Sequence, residues 1–407
     1  MDLVQKANLL GQAAQYDICA TCGTSSSRVR DDIGRWIYPA ALPDGRRVLL
    51  WKVLMTNVCE RDCLYCASRS SRDVRRIAFT PDELAATFDE LVRRRMANGL
   101  FLSSAVCGGS GVAQERMIAA VELVRRKYQF RGYVHLKILP GAERAAVERA
   151  TQLAQRVSVN LEAPNAERLA RLSGSKDFER DLLERMRWAR QSIVSHGLRG
   201  ASQTTQLVVG AAGEMDCETL ATTARLYREL RLARVYYSAF QPVPDTPLEN
   251  QPATPPLREH RLYQSDFLLR QYGFAVEELV FDRSGNLPLA IDPKLLWAQS
   301  HPEWFPLELN RADREALLRV PGIGPRSAAR ILDARRVGRL RDLEALKRLG
   351  VATQRAAPFI LLDGRRPPVQ MSLWPEEATV SPLSSLAMPL DSSSGPRRDA
   401  RRMARSP

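Results

Sequence analysis

Short apolar segments alternate with amphipathic helical segments between residues 48 and 238 of this 407-residue chain. The apolar segments predict six strands, at residues 48–55, 100–102, 133–138, 157–162, 206–209 and 235–238. The segments between them, such as 142–155, 177–196 and 216–232, carry the 3.6-residue period of helices. This alternation predicts βα units that build a parallel sheet, closed or partly closed as a barrel.

The charge of the chain is strongly basic. Its 60 Lys and Arg against 46 Asp and Glu give a net charge of +14 and a pI near 9.8, so a polyanion is a plausible partner. No stretch approaches the roughly 20 apolar residues of a membrane span, and the N-terminus lacks the apolar run of a signal peptide. We therefore expect a cytoplasmic protein with no membrane partner.

Three of the seven cysteines follow the first predicted strand: Cys59, Cys63 and Cys66. Thiolates at spacings of four and three residues can bind one face of a cubane iron–sulfur cluster, which leaves the fourth iron open. One alternative is a zinc site, which would need a fourth protein ligand at a fixed spacing, and none follows. The other is three buried cysteines that are close by chance.

These three cysteines, with the aromatic Tyr65 just before the last, resemble the radical S-adenosylmethionine (SAM) superfamily. The resemblance implies an α/β fold with a partial (βα)6 barrel of the TIM type, and a 4Fe-4S cluster bound by the three cysteines. It also implies that the open iron chelates SAM and that one electron cleaves SAM to a 5′-deoxyadenosyl radical. An electron donor of the flavodoxin or ferredoxin type is a further implied partner.

Polar residues at the ends of the predicted strands are the implied cofactor-binding residues, because barrel enzymes place their chemistry at the C-terminal ends of strands. They are Tyr65, Ser103, Ser104, Asn160, Glu162, Gly210 and Glu214. Many family members carry Gly-Gly-Glu where this chain has Ser103 and Ser104. Asn160 and Glu162 are expected at the end of the fourth strand on one face. Gly210 is also compatible with ordinary turn chemistry.

A second cysteine pair, Cys19 and Cys22, lies near the N-terminus. A pair at this spacing can bind metal or cycle as a dithiol, but no thioredoxin-like strand precedes it and no matching pair follows. The alternative is a loop near the mouth of the barrel.

Two predicted helices flank the sequence Pro-Gly-Ile-Gly at residues 321–324, and this arrangement resembles the helix-hairpin-helix DNA-binding module. Bare backbone amides at the start of the second helix favour a phosphate, so binding should be independent of sequence and sensitive to salt. Residues 308–366 carry 14 Lys and Arg against 7 Asp and Glu. The predicted nucleic-acid-binding residues are Gly322, Ile323, Gly324, Arg326 and Arg330. The alternative is a turn that only packs helices.

With both motifs, the chain resembles a family of radical SAM proteins described as DNA modification or repair proteins, over about residues 10–365. Four parts are predicted: an N-terminal segment (1–45), the barrel with its following loop and helix (46–290), a small all-α helix-hairpin-helix domain (291–365) and a disordered tail (366–407). The tail is predicted because 15 of its 42 residues are Pro or Ser and apolar periodicity disappears.

Within the tail, a pentapeptide that begins at Gln370 and ends at Trp374 resembles the peptide that binds the bacterial sliding clamp. The clamp is therefore a candidate partner. The alternative is a peptide that packs against its own domain.

The sequence thus favours a radical SAM enzyme, with a 4Fe-4S cluster and SAM as cofactors, that modifies or repairs nucleotides in DNA. Two alternatives stay open: radical SAM modification of tRNA or other RNA, and a non-catalytic iron–sulfur protein that binds DNA.

Overall fold

The computed structural model describes residues 2–14, 34–41 and 46–368. Cys19 and Cys22, the pentapeptide from Gln370 to Trp374 and nearly all of the predicted tail lie outside the described residues. Within the three described ranges, no helix combines the length and the hydropathy that a membrane span requires.

The main sheet has seven strands that lie side by side in chain order. They are β1 (Ile37–Ala41), β2 (Arg47–Leu54), β3 (Gly99–Ser103), β4 (Tyr133–Lys137), β5 (Arg156–Ser158), β6 (Ser202–Val209) and β7 (Arg234–Ala239). Strand β1 is antiparallel to β2, and every neighbouring pair from β2 to β7 is parallel. The predicted parallel α/β half-barrel is therefore confirmed, with β1 as an additional strand.

Helix α1 (Leu3–Ala13) precedes the sheet, and one or more helices follow each parallel strand. The helices after the strands are α2 (Pro81–Arg93), α3 (Gly109–Arg126), α4 (Arg144–Leu153), α5 (Ala166–Ala170), α6 (Glu184–Ser195), α7 (Asp216–Leu230), α8 (Pro256–Gln271) and α9 (Pro293–Ser300). A π-helical turn, Phe178–Leu183, leads into α6. Helix α2 begins with the capping box that the sequence predicts, in which Thr80 and Glu83 exchange hydrogen bonds.

The core of the half-barrel lies between the sheet and these helices. Trp51 on the outer face of β2 is fully buried and stacks on Phe88 of α2, with ring centroids 6.2 Å apart. The alternate residue Lys52 points to the opposite face, where its ammonium lies 4.8 Å from the Phe101 ring centroid. Successive side chains of a strand point to opposite faces, so the inner face of the half-barrel carries polar groups.

The remaining elements form a smaller helical unit. They are β8 (Leu307–Glu308), α10 (Arg314–Arg319), α11 (Pro325–Val337), α12 (Leu343–Arg348), α13 (Thr353–Ala356) and β9 (Ile360–Leu361). This unit has its own core, which begins at Leu309, whereas Trp297 of α9 belongs to the core of the half-barrel.

Two buried cations join the helical unit to the half-barrel. The Arg319 guanidinium forms a 2.8 Å ion pair with Glu278 and lies 3.9 Å from the Phe274 ring centroid. The Lys294 ammonium donates a hydrogen bond to the Ile323 carbonyl at 2.6 Å. Burial lowers the pKa of Lys294 well below its usual value, because the buried group has lost water. Its hydrogen bond to the Ile323 carbonyl replaces part of that water.

Candidate functional site

A cavity of about 770 Å³ lies at the C-terminal edge of the parallel strands. Its floor includes Leu54 at the end of β2, Ser103 at the end of β3 and Lys137 at the end of β4. Cavities of this size hold a small-molecule ligand in many proteins. The site therefore lies at the edge of the sheet where the sequence predicts it.

Cys59, Cys63 and Cys66 all line this cavity, and none forms a disulfide. Backbone amides support the sulfurs, since the amides of Arg61 and Ser68 donate to the Sγ atoms of Cys59 and Cys66 at 3.4 Å. Burial and then the neighbouring Cys63 raise the pKa of Cys66 to about 12. Without a ligand, Cys66 is therefore a protonated thiol, and metal binding would displace its proton.

The three groups on the loop that could bind a metal are thiols, and they interact with one another. Thiols are soft sulfur ligands, unlike hard oxygen ligands such as carboxylates. Such soft donors suit an iron–sulfur cluster. Among the described residues, no three His, Cys, Asp or Glu side chains lie close enough together to hold a single metal ion.

Two carboxylates anchor the cysteine loop to neighbouring loops, and neither was predicted from the sequence. Glu60 accepts hydrogen bonds from the amides of Gly108 and Gly109, at 2.6 and 3.1 Å, at the start of α3. Asp62 accepts from the Ser173 and Ser175 hydroxyls, both at 2.6 Å, and also from two backbone amides. Both anchors lie between the first two cysteines, so they fix the path of the loop there.

A single guanidinium holds the other half of the loop. Arg76 donates to four main-chain carbonyls, namely those of Asn57, Ser68, Arg69 and Arg72, at 2.5 to 2.8 Å. Asn57 precedes Cys59 and the other three residues follow Cys66, so Arg76 holds together the two ends of the segment that contains the cysteines. The loop is therefore held in place by protein groups alone.

Glu162 lies beside the cysteine loop in a strained conformation. Its φ of 63° is in the left-handed region, which is uncommon for a residue other than glycine. Strand β6 holds it there, because the Glu162 amide donates to the Gln206 carbonyl at 3.0 Å and its carbonyl accepts from the Val208 amide at 2.8 Å. Strain of this kind is concentrated at functional sites.

Lys176 is a cavity residue that sequence reasoning missed. Its ammonium lies 3.5 Å from the Glu162 carboxylate, and both side chains are largely buried. Burial lowers the pKa of Lys176, but Cys63 and Glu162 outweigh it and raise this pKa. Burial, followed by Glu162 and the thiols, raises the pKa of Tyr65 well above its usual value. Lys176 is thus charged, and Tyr65 keeps its proton.

Ser103, Ser104 and Asn160 line the same cavity. The Ser104 hydroxyl donates to the Ala105 carbonyl at 2.7 Å. Ser103 is only 3% exposed and Asn160 is half-buried, and both side chains line the cavity where a bound ligand could contact them.

Strand β5 ends at Ser158, so the prediction that Asn160 and Glu162 end this strand is wrong. After Ser158 the chain pairs with β6 only through an isolated bridge between Glu162 and Leu207, and Glu162 is in the left-handed conformation. Both side chains nevertheless line the cavity.

Gly210 and Glu214 form the loop after β6 and do not belong to the cavity wall described above. The Glu214 carboxylate accepts hydrogen bonds from the amides of Gly210 and Ala212. Gly210 has a φ of 93°, and a Cβ there would overlap the Thr254 hydroxyl at 1.9 Å. The structure gives both residues a role in shaping this loop, and their predicted role in cofactor binding stays a prediction.

A further part of the cavity lining comes from β6, β7, α8 and the segment between β7 and α8, and it was not predicted from the sequence. Gln206, Ser238, Gln241 and Glu259 are its polar residues. The Glu259 carboxylate accepts a hydrogen bond from the Ala239 amide at 2.8 Å. No local motif marks these positions, although Gln206 has the strand parity of a residue that faces the barrel interior.

The predicted nucleic-acid-binding residues lie in the smaller helical unit. Gly322 has a φ of 84°, and a Cβ there would lie 2.5 Å from the Ala352 carbonyl, so only glycine fits. Ile323 is buried, and Gly324 is the N-cap of α11 without a side-chain cap. Arg326 and Arg330 on α11 are exposed.

Residues 53–226 match the family model described as Radical SAM superfamily. A search among curated proteins finds no match to the chain.

Three solved structures are similar to part of the chain at low sequence identity. A crystal structure of HydG, described as a maturase of the FeFe-hydrogenase, is 11% identical, with a TM-score of 0.44, and the match covers 53% of this chain and 48% of that chain. HydG from Carboxydothermus hydrogenoformans is 12% identical, with a TM-score of 0.43 and coverage of 53% and 50%. Methylornithine synthase (PylB) is 15% identical, with a TM-score of 0.42 and coverage of 52% and 59%. The chain spans about half the length of these structures.

Taken with the three cysteines on the loop after β2, the family match shows that residues 53–226 form a domain of the radical SAM superfamily.

Proposed function

We propose that this protein is a radical SAM enzyme that modifies or repairs nucleotides in DNA. The observation that carries the proposal is the shared cavity, which the three free cysteines line together with the Glu162–Lys176 ion pair, Ser103 and Asn160. A structural cluster would need neither the cavity nor these groups.

The residues present fit both cofactors. Cys59, Cys63 and Cys66 would bind the 4Fe-4S cluster. When bound, the cluster and SAM supply one-electron cleavage of a sulfonium and a radical that abstracts hydrogen. The Lys176 ammonium suits the carboxylate of SAM, and the Glu162 carboxylate suits its amino group, since each would gain a charged partner.

Ser103 and Asn160 complete the proposed SAM site. The Asn160 amide offers a donor and an acceptor for ribose hydroxyls, and the Ser103 hydroxyl can donate or accept beside the amino group. Leu54, Val106 and Leu139 line the same cavity, so part of its surface is apolar.

The proposal of a nucleic-acid substrate rests on the net charge of +14 of the chain and on the smaller helical unit. The exposed Arg326 and Arg330 lie at the start of α11, where backbone amides and the helix dipole favour an anion. Such contacts reach phosphates and not base edges. Binding should therefore be independent of sequence and should weaken steeply with salt.

The test is anaerobic reconstitution with iron and sulfide, followed by measurement of 5′-deoxyadenosine under strong reduction. We expect wild type to cleave SAM and Cys63→Ala to be inactive. Single-stranded DNA, duplex DNA and structured RNA are then added side by side, with a flavodoxin or a ferredoxin as the physiological type of electron donor. Stimulation by RNA alone would favour RNA modification, and no cleavage under any condition would favour a non-catalytic iron–sulfur protein.

A further inference from the structure

We propose that the Lys176 ammonium, through its hydrogen bond to Cys63, raises the reduction potential of the 4Fe-4S cluster that the three cysteines would bind. This inference rests on the proposed function, because it concerns the cluster of that same site. It gives Lys176 a part in electron uptake that is separate from its proposed contact with the SAM carboxylate. Lys176 acts through Cys63 and needs neither SAM nor DNA for this effect.

Lys176 lies between a carboxylate and a thiol in the lining of the cavity. Its ammonium is 3.5 Å from the Glu162 carboxylate and is also hydrogen-bonded to the Cys63 side chain. Only 7% of the Lys176 side chain and 12% of the Glu162 side chain are exposed, and Cys63 is buried. The contact between the ammonium and the sulfur is therefore shielded from water.

The backbone on both sides of Lys176 is held in place. On one side, residues 173–175 donate hydrogen bonds to Asp62, which belongs to the cysteine loop. On the other side, Asp177 is the N-cap of the π-helical turn before α6 and accepts a hydrogen bond from the Arg180 amide at 2.7 Å. The segment that carries Lys176 is thus tied to the loop that carries Cys63.

An ammonium beside a ligand sulfur acts on the charge of the cluster. Each thiolate carries a negative charge, and reduction adds one electron to the cluster that the thiolates bind. A buried cation favours the more negative state, because Coulomb interactions are stronger where water is excluded. Net charge and hydrogen bonds to the sulfurs are among the factors that set the potential of an iron–sulfur cluster. Lys176 supplies both.

Glu162 acts in the opposite direction. A buried carboxylate near the cluster disfavours an added electron, since like charges repel. The ion pair with Lys176 offsets this repulsion. An ammonium has three N–H donors, so Lys176 can contact Cys63, Glu162 and one further acceptor, such as the SAM carboxylate, at the same time. The two proposed roles of Lys176 are therefore compatible.

The experiment is a redox titration of the reconstituted full chain with dithionite and mediators, without SAM and without DNA. The reduced cluster is followed by electron paramagnetic resonance. In Lys176→Met we expect the equilibrium constant for reduction to fall about tenfold, which lowers the midpoint potential by about 59 mV for one electron. Lys176→Arg keeps the positive charge and the N–H donors, so its potential should stay close to that of wild type. Glu162→Gln removes the opposing charge and should raise the potential.

The matched control is Lys137→Met, which removes the other lysine that lines the described cavity, at the end of β4. We expect it to shift the potential much less than Lys176→Met does. An equal shift in Lys137→Met would overturn the inference, because any cation of the cavity would then have the same effect. An unchanged potential in Lys176→Met, or an equal loss in Lys176→Arg, would overturn it too. If Lys176→Met binds no cluster, Glu162→Gln decides, and a potential that does not rise refutes the inference.

Failure of the inference can be told apart from failure of the proposed function. Wild type that cleaves SAM and responds to DNA, with the same potential in all variants, overturns only the role of Lys176. Wild type that shows the expected shifts but never cleaves SAM overturns only the proposed function. Wild type that assembles no cluster would overturn both.

Discussion

Asp62 is the anchor whose loss should most affect cluster binding without touching a cysteine. In the Asp62→Ala variant, the Ser173 and Ser175 hydroxyls and two backbone amides lose their shared acceptor. Hydrogen bonds to a charged group contribute roughly 1.5–3 kcal/mol each, but Gly174 and Ser175 are exposed, so water replaces part of this. We expect the loop to lose about 2 kcal/mol of stabilisation, which corresponds to a factor of about 30 in an equilibrium constant.

The assay is the rate at which reconstituted protein loses its cluster to an iron chelator under anaerobic conditions, followed by visible absorbance. Asp62→Ala should lose the cluster about 10- to 100-fold faster than wild type, as is usual when groups that support metal ligands are removed. The control is Asp73→Ala, which removes an exposed carboxylate from the same loop. Equal rates in wild type and Asp62→Ala, with both proteins folded by circular dichroism, would refute the reasoning.

Three further predictions concern stability, each measured as the free energy of unfolding in urea. Asp216 is fully buried and pairs with Arg258 at 2.8 Å, so Asp216→Asn should destabilise the protein by about 3 kcal/mol, and a loss below about 1 kcal/mol would contradict this. Thr80→Ala removes the N-cap of α2 and should cost about 1 kcal/mol, whereas Thr80→Ser should cost much less. The Lys6 hydrogen bond lowers the pKa of Glu83 below 4.5, so this pair stabilises the fold above pH 4.5 and stops doing so as the pH falls. Lys6→Met should therefore cost about 1 kcal/mol at pH 7, and a cost that persisted unchanged at low pH would contradict the assignment.

The parallel strands could be predicted because buried strands are short runs of apolar residues, and the segments between them have the 3.6-residue period of helices. Strand β1 could not, because Ile37–Ala41 is short and contains Pro39. Proline cannot donate to a sheet ladder and is tolerated at an edge, which is where β1 lies. Its place in the sheet is decided by pairing with β2, which no local pattern encodes.

The site could be predicted wherever a residue ends a strand or lies within a few residues after it. Cys59, Ser103 and Asn160 satisfy this rule, and all three line the cavity. Lys176 does not, since it follows α5 and reaches Glu162 only through the tertiary fold. The anchors Glu60 and Asp62 were missed for a similar reason: their partners lie on loops 48 and 111 residues away in sequence.

The most direct test of the central claim follows the hydrogen atom. A DNA oligonucleotide with one deuterated nucleotide is incubated with the reconstituted protein, SAM and reductant, and the 5′-deoxyadenosine formed is analysed by mass spectrometry. If the protein abstracts hydrogen from DNA, deuterium appears in 5′-deoxyadenosine for one position of the label and is absent with Cys63→Ala. If 5′-deoxyadenosine forms in equal amounts with and without DNA and never contains deuterium at any labelled position, the protein does not act on DNA.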